Sequence, residues 1–255
     1  MSSRMTETMK KARDARRTLG LDDTEPLDIA RVLRLVEGIT LSGRPFEGNI
    51  SGCFVRGKTA KMITINSARS LGHQNFTMAH EYYHLICEPE RSGGVCIAEE
   101  FGSRPVSEAS ADDFAANFLV PREALAEAVY RLSHSRNRPL EMADLIELEQ
   151  LFGVSHRAMR VRLGQLGYLS ASQSEALKDG VMREARALGF DVSLYNPTND
   201  IKVQSPYPRL AREALGRGLI SSGKYREMMM EGGFFDLVFS QNEEESNRPH
   251  ESQSG

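Results

Sequence analysis

The chain has 255 residues, of which 40% are hydrophobic, and its formal net charge at pH 7 is −3. This composition can fill the core of one principal domain with smaller additions, and the small net charge excludes a strong global attraction to nucleic acid or membrane surfaces. No run approaches the ~20 apolar residues that span a bilayer, and residues 1–19 lack the apolar segment of a signal peptide. Because the three cysteines show no Cys-x-x-Cys spacing, we expect reduced thiols in a cytoplasmic protein.

The N-terminal part of the chain predicts two helices followed by short strands. Apolar periodicity predicts helices at residues 6–19 and 26–37, the second beginning after Asp22-Asp23-Thr24. Segments rich in β-forming residues predict strands at 39–41, 52–55 and 62–65. Arg56-Gly57-Lys58 is typical of a hairpin turn between the last two strands, so a small sheet is expected before the next helix.

That next helix contains His80-Glu81-Tyr82-Tyr83-His84, a His-Glu-x-x-His pattern. Residues four apart lie ~40° apart around a helix axis and roughly 6 Å along it, so both imidazoles can reach one metal ion. Glu81 would lie beside the metal, where its carboxylate can take a proton from a metal-activated water. Apolar flanks predict a buried helix that ends near Pro89. The pattern predicts a zinc hydrolase with His80 and His84 as ligands and Glu81 as general base.

A catalytic zinc site needs a third protein ligand, and its fourth position is left to water. Glu88 and Glu90 follow the motif too closely to reach the metal without unwinding the helix. Cys87 shares the helical stripe of the histidines, but three ligands along one straight helix cannot converge on one ion, so we interpret it as a buried apolar residue. Residues 90–104 contain three glycines and predict a loop, either a lid over the cleft or a surface excursion.

Residues 106–119 predict an Ala-rich helix with Ser107 as its N-cap. Glu108 and Asp112 lie one turn apart on the same face of this helix. We expect Glu108 to bind the metal and Asp112 to accept a hydrogen bond from the free ring nitrogen of a ligand histidine. The alternative is a solvated acidic face near a helix N-terminus, which the helix dipole favours; the upstream motif favours the metal site.

Two segments, NFTMAHEYYHLI at 75–86 and EASADDFAANFLVP at 108–121, resemble the ImmA/IrrE metallopeptidases. That resemblance implies a compact gluzincin-like domain in an intracellular enzyme that cleaves a helix-turn-helix repressor of the XRE type and so switches genes on. It covers residues 27–121 well and 140–169 more weakly.

The resemblance also implies the roles of individual residues. His80, His84 and Glu108 correspond to the zinc ligands, Glu81 to the general base, and Asp112 to a position that is often Asn or Asp. Tyr83 stands where many members have Gly, so its ring is expected to narrow or floor the cleft. In such sites an edge strand can bind an extended peptide, so residues 48–55 are either one wall of a peptide cleft or a plain structural hairpin.

Residues 140–169 predict a helix, the turn Gly153-Val154-Ser155 and a second helix, a helix-turn-helix pattern. The first helix is acidic, and the second is expected to present basic residues on an exposed side. The acidic residues are Glu141, Asp144, Glu147 and Glu149, and the basic ones are His156, Arg157, Arg160 and Arg162. Three interpretations stay open: insertion of the basic helix into a DNA major groove, which is not the favoured one, simple pairing of the two helices, and docking of the repressor.

The C-terminal part predicts a helix at 176–188, a strand-like stretch within 190–203, and two short helices within 208–231 broken near Gly216. Residues 241–255 are polar and aromatic-free, which predicts a disordered tail. The remaining histidines are interpreted as surface or capping residues, with His73 a candidate for stabilising an oxyanion. They are His73, His134 and His156, with His250 in the tail.

The expected fold is α+β: a mainly helical zincin-like domain with a small sheet at 1–135, a helix-turn-helix-like module at 136–170, an accessory region at 171–240 and the tail. The expected function is that of a Zn²⁺-dependent endopeptidase acting on an XRE-type repressor. The alternative is a non-catalytic DNA-binding or repressor-docking regulator on a metallopeptidase scaffold.

Overall fold

The computed structural model describes residues 3–35, 38–58, 60–97, 105–134 and 138–234. Its helices are α1 Ser3–Thr18, α2 Ile29–Leu35, α3 Leu71–Cys87, α4 Val106–Leu119, α5 Arg122–His134, α6 Met142–Phe152, α7 His156–Gln165, α8 Ala171–Ala176, α9 Val181–Ala187, α10 Tyr207–Gly216 and α11 Ser222–Glu231. Its strands are β1 Thr40–Arg44, β2 Ile50–Arg56, β3 Lys61–Asn66, β4 Gly93–Ile97 and β5 Lys202–Gln204. The expected mixed α+β class is confirmed. None of the helices in these ranges is long and apolar enough to cross a membrane.

Within the described ranges the five strands form one sheet in the order β4-β2-β3-β1-β5. β2 pairs antiparallel with both β3 and β4, whereas β1 runs parallel to β3. The expected loop at 90–104 is therefore wrong in part, because residues 93–97 form β4; residues 98–104 lie outside the described part of the chain. Since β4 pairs with β2, the strands at the two edges of the sheet are β4 and β5, and the predicted segment 48–55, which contains most of β2, is not at an edge.

Helix α3 packs against β2 on one side and against α4 on the other. Gly52 permits the close approach of β2, because a Cβ on it would lie 2.8 Å from both the Thr64 carbonyl oxygen and Thr77 Cγ2. On the other side, the Tyr82 ring of α3 lies 5.7 Å from the Phe118 ring of α4. Apolar burial on both sides fixes the position of α3, and with it the position of the motif.

Three predicted elements differ in their ends for local reasons. Helix α2 begins at Ile29 rather than at 26, because the Asp28 side chain accepts a hydrogen bond from the Arg31 amide and caps it. The predicted helix at 176–188 begins later than expected: α8 ends at Ala176, and α9 covers Val181–Ala187 after Gly180, whose φ of 95° is incompatible with a continuous helix. Ser107 lies inside α4 rather than capping it; the N-cap is Pro105.

The basic residues of α7 are not all exposed as predicted, and two acidic residues of α6 are buried as well. His156 and Glu149 are buried and joined by a hydrogen bond of 2.6 Å. Arg162 is only 4% exposed and donates to the Val120 carbonyl and to Asn117 Oδ1. Asp144 is also buried and accepts a hydrogen bond from the Glu141 amide in a capping box. The predicted exposed basic face is therefore wrong at His156 and Arg162.

The chain divides into two compact units, Met1–Gln204 and Ser205–Gly255. The boundaries expected after residues 135 and 170 both fall inside the first unit, and they stay predictions, as does the tail at 241–255, which lies outside the described residues. In the second unit α10 and α11 pack around a small core. Its buried members are Ala211, Tyr225 and Met229.

Candidate metal centre

The motif helix and α4 bring three metal-binding side chains to one point. One donor atom from each of His80, His84 and Glu108 lies within 4.8 Å of the others. His80 Nε2 is 3.0 Å from Glu108 Oε2 and 3.2 Å from His84 Nε2. Both histidines are 2% exposed, so the donor atoms converge in a site largely shielded from solvent.

Each imidazole also uses its second nitrogen. His80 Nδ1 lies 2.9 Å from Asp112 Oδ1, and His84 Nδ1 lies 2.8 Å from Glu88 Oε2. A carboxylate that accepts the Nδ1 proton leaves the Nε2 lone pair for a metal ion and fixes the orientation of the ring. With both Nε2 atoms facing Glu108, the donor set fits a divalent ion such as zinc.

Glu88 is itself held in place by two neighbours. It accepts hydrogen bonds from Arg91 Nη1 at 2.8 Å and from the Ser107 hydroxyl at 2.6 Å. The Phe54 ring of β2 stacks on the His84 ring, with centroids 5.4 Å apart. The His84 side chain is therefore fixed by a carboxylate at its edge and by an aromatic ring on its face.

Glu81 is buried without a partner for one of its oxygens. The side chain is 1% exposed, and its Oε1 atom has no hydrogen-bond partner among the residues that the structure describes. Burial raises the pKa of Glu81 from 4.5 to about 7, although the neighbouring His80 and His84 oppose the shift. A carboxyl group with such a pKa can accept and release a proton near neutral pH, as a general base and acid must.

In the absence of a metal, the shifts in pKa favour an ionised Glu108 beside a protonated His80. Hydrogen bonds with His80 and then His84 hold the pKa of Glu108 well below its usual range. Burial opposes protonation of His80, but hydrogen bonds with Asp112, Cys96 and Glu108 raise its pKa well above the usual value. Binding of a metal would therefore displace a proton that these groups share.

A cavity of about 360 Å³ opens beside His80 between α3, α4, β4 and α7. His73 of α3 lines it and is not the surface residue that was predicted: its Nε2 atom lies 3.0 Å from the Ser51 hydroxyl. Burial, followed by the charges of Arg69 and Arg157, lowers the pKa of His73 to about 4. His73 is therefore neutral at neutral pH.

Tyr83 does not floor the cleft as expected. It is 5% exposed and packs in the core, where its ring meets the edge of the His84 ring at 5.6 Å. Cys87 is partly buried and is absent from the clusters of metal-binding groups among the described residues, in agreement with its interpretation as an apolar residue.

Sequence reasoning missed two residues at this site. Glu88 was weighed only as a ligand, although its spacing of four from His84 would have indicated a partner for that ring. Cys96 was assigned to a loop and given no role. Its donor atom lies within 4.8 Å of one donor atom each of His80 and Glu81. The alternation Val95-Cys96-Ile97 was the available signal for a strand.

Comparison with protein families agrees with this geometry. The family model Peptidase_M78, described as the IrrE N-terminal-like domain, matches residues 37–164, half of the chain. The matched segment includes β1 to β4 and both helices that carry the candidate metal ligands. The resemblance to ImmA/IrrE proteins is thereby confirmed. No curated protein matches the chain.

Proposed function

The chain belongs to the Peptidase_M78 family, and we propose that it is a zinc-dependent endopeptidase. The observation that carries the proposal is the convergence of His80, His84 and Glu108 within 4.8 Å. Beside them Glu81 has a buried oxygen that finds no hydrogen-bond partner in the described part of the chain. Two imidazoles and one carboxylate form a common ligand set of catalytic zinc, which keeps one position open.

In the proposed hydrolysis, Glu81 would transfer protons, and Asp112 and Glu88 would orient the two histidines. When bound, the ion would supply a Lewis acid that lowers the pKa of a water molecule and polarises the scissile carbonyl. Glu81 would accept the proton of the attacking water and pass it to the leaving nitrogen, for which its pKa of about 7 is suited. Asp112 and Glu88 would hold the Nδ1 protons of the two histidines, so that both rings keep their orientation during the reaction.

The surroundings of the site suit an extended polypeptide. β4 is one of the two edge strands of the sheet and lies beside the candidate metal centre, where a substrate backbone could pair with it. Val95 and Ile97 of β4 are 59% and 47% exposed. We propose, as the family resemblance implies, that the substrate is an XRE-type repressor whose cleavage switches genes on.

The test is incubation of the purified protein with a purified XRE-type repressor, with and without a zinc chelator, followed by mass spectrometry of any fragments. Glu81→Gln should keep its zinc and lose turnover by at least about 100-fold, the typical contribution of general acid-base catalysis. Glu90→Gln changes an exposed carboxylate three residues beyond α3 and serves as the matched control, with wild-type turnover expected. Full cleavage by Glu81→Gln, or in the presence of chelator, would refute the assignment.

A second candidate is a regulator that binds the repressor or DNA without cutting. It is supported by the position of α7, which lines the cavity through residues such as Ala158 and Val161. Gene regulation in cells that persists with Glu81→Gln in place of the wild type would favour this candidate over the enzyme.

A further inference from the structure

Alanines on two helices leave room for the cavity beside His80. α4 contributes Ala109 and Ala116 to the lining of this cavity, and α7 contributes Ala158. The cavity has a volume of about 360 Å³. Because an apolar protein cavity of about 150 Å³ already holds a benzene molecule, this space accommodates a large side chain such as that of Leu or Phe.

Four charged side chains in the cavity lining have partners within the protein. Asp113 accepts a hydrogen bond from Arg4 Nε at 3.2 Å, and Asp112 Oδ1 lies 2.9 Å from His80 Nδ1. Arg162 donates to two acceptors at the end of α4. Since a charge that leaves water without a counter-ion is costly, these positions do not favour a charged ligand.

The polar groups that α3 and β2 contribute to the lining are satisfied as well. His73 Nε2 lies 3.0 Å from the Ser51 hydroxyl, and burial lowers the pKa of His73 to about 4, so this ring is neutral at neutral pH. Arg157, the remaining charged residue of the described lining, is exposed to water. Phe76 and Val161 add apolar surface. A cavity with an apolar wall and paired polar groups is typical of sites that bind apolar groups.

The position of the cavity relates it to the bond that would be cleaved. His80 is a candidate metal ligand and also lines the cavity, and Ile97 of the edge strand β4 lines it too. Side chains of an extended peptide project on alternate sides of its backbone. A peptide that paired with β4 and presented its scissile bond to the ion would therefore place a neighbouring side chain at this cavity.

We propose that the cavity is a specificity pocket that binds a large apolar side chain, such as that of Leu or Phe, from a residue flanking the scissile bond. The inference rests on the proposed peptidase function and adds the class of peptide sequence that is selected. Removal of the apolar side chain from water supplies the binding energy. Acidic and basic side chains are rejected, because they would leave water without finding an unpaired counter-ion.

The first measurement is peptide binding to the metal-free protein, which does not require catalysis. The probes are blocked peptides in which glycines flank one variable residue, and their dissociation constants are measured by nuclear magnetic resonance in a zinc chelator. Peptides with Leu or Phe should bind at least about tenfold more tightly than those with Ala, Asp or Lys, because one methylene in an apolar pocket is worth about 10–200-fold. Equal affinities, or a preference for Asp or Lys, would overturn the inference.

Substitutions in the wall of the cavity test where the peptide binds. Ala158→Phe fills part of the cavity and should weaken binding of the Leu peptide by about tenfold or more. Ala187→Phe adds the same ring at an exposed position of α9 and should bind like the wild type. Val161→Asp changes a residue that is 46% exposed, so it does not depend on the core accepting a ring, and it should weaken the Leu peptide similarly. Unchanged binding in both cavity variants would contradict the pocket.

The second measurement separates the pocket from the peptidase activity. Zinc-loaded protein is incubated with a library of random peptides, and the cleaved bonds are identified by mass spectrometry. Leu and Phe should be enriched at least about tenfold over Asp and Lys at one of the positions flanking the cleaved bond. Cleavage without this enrichment would overturn the pocket and leave the peptidase proposal intact. Selective binding of the Leu peptide without any cleavage would support the pocket and count against the peptidase.

Discussion

Replacing Glu81 by Gln should stabilise the metal-free protein relative to the wild type at neutral pH. This advantage should shrink as the pH falls and be absent at acidic pH. The Glu81 side chain is 1% exposed, and one of its carboxyl oxygens has no hydrogen-bond partner within the described ranges. Burial raises its pKa from 4.5 to about 7, so in the folded chain the charged form is disfavoured relative to the unfolded chain. Gln has nearly the same shape and carries no charge at any pH, so the variant removes the titration and little else.

The magnitude follows from the size of the pKa shift. Between pH 4.5 and 7 the folded state binds more protons than the unfolded state, so the stability contributed by this group is complete below pH 4.5 and is lost as the pH rises towards 7. At ~1.4 kcal/mol per pKa unit, the wild type should lose about 3 kcal/mol across this window that the variant does not lose. For a chain of this size the difference in melting temperature should widen by roughly 6–12 °C.

The assay is thermal unfolding of both proteins in a zinc chelator, followed by circular dichroism at intervals from pH 4.5 to 8. Any constant cost of burying the Gln amide shifts the whole curve and does not affect the pH-dependent part. Glu90→Gln, at an exposed position, should follow the wild type throughout. If plots of melting temperature against pH for the wild type and Glu81→Gln stay parallel from pH 4.5 to 8, the raised pKa assigned to the buried Glu81 is refuted.

Three further perturbations test other parts of the molecule. Glu108→Gln should weaken zinc binding by about 10–100-fold or more, measured as metal content by mass spectrometry. The control variant Glu127→Gln, on the exposed side of α5, should keep its zinc. Equal zinc content in the two variants would show that Glu108 is not the third ligand. Arg162→Met should lower the free energy of unfolding in urea by about 2–4 kcal/mol, because the Val120 carbonyl and Asn117 Oδ1 lose the hydrogen bonds of the buried guanidinium. The exposed Arg131→Met is the control, and a loss at Arg162 no larger than at Arg131 would contradict the prediction. Burial lowers the pKa of His73 to about 4, so the folded protein favours the neutral imidazole, and the wild type should lose about 3 kcal/mol of stability as the pH falls from 6.5 towards 4. His73→Gln should abolish this loss. An identical dependence of stability on acidic pH in both proteins would count against the assignment.

Local sequence patterns predicted the two helices that carry the candidate site. The His-Glu-x-x-His spacing fixes the relative directions of His80 and His84 once a helix is assumed, and the apolar flanks made that assumption safe. Glu108 and Asp112 followed from the same periodicity, and the predicted bounds of 106–119 coincide with α4. What periodicity could not give is the contact between α3 and α4, which depends on aromatic packing such as that of Tyr82 on Phe118.

The errors come from residues whose burial depends on distant partners. β4 contains two glycines in five residues, which indicates a loop, but pairing with β2 satisfies its backbone and outweighs the low strand propensity. His156 was expected on the exposed side of its helix, yet it is buried, where its Nδ1 atom pairs with Glu149, which also accepts a hydrogen bond from the Tyr195 hydroxyl. A single sequence does not show which charges will find such partners.

The burial of those charges bears on the role of the helix pair α6 and α7. A helix that inserts into DNA must present its basic side chains to the groove, whereas Arg162 donates inward to the end of α4, at Val120 and Asn117. The same helix contributes Ala158 and Val161 to the wall of the cavity that reaches His80. Since these residues connect α7 to α4, which carries the candidate ligand Glu108, and also line the cavity, α7 forms one wall of the cleft. Its side chains would contact a polypeptide that approached the candidate metal centre.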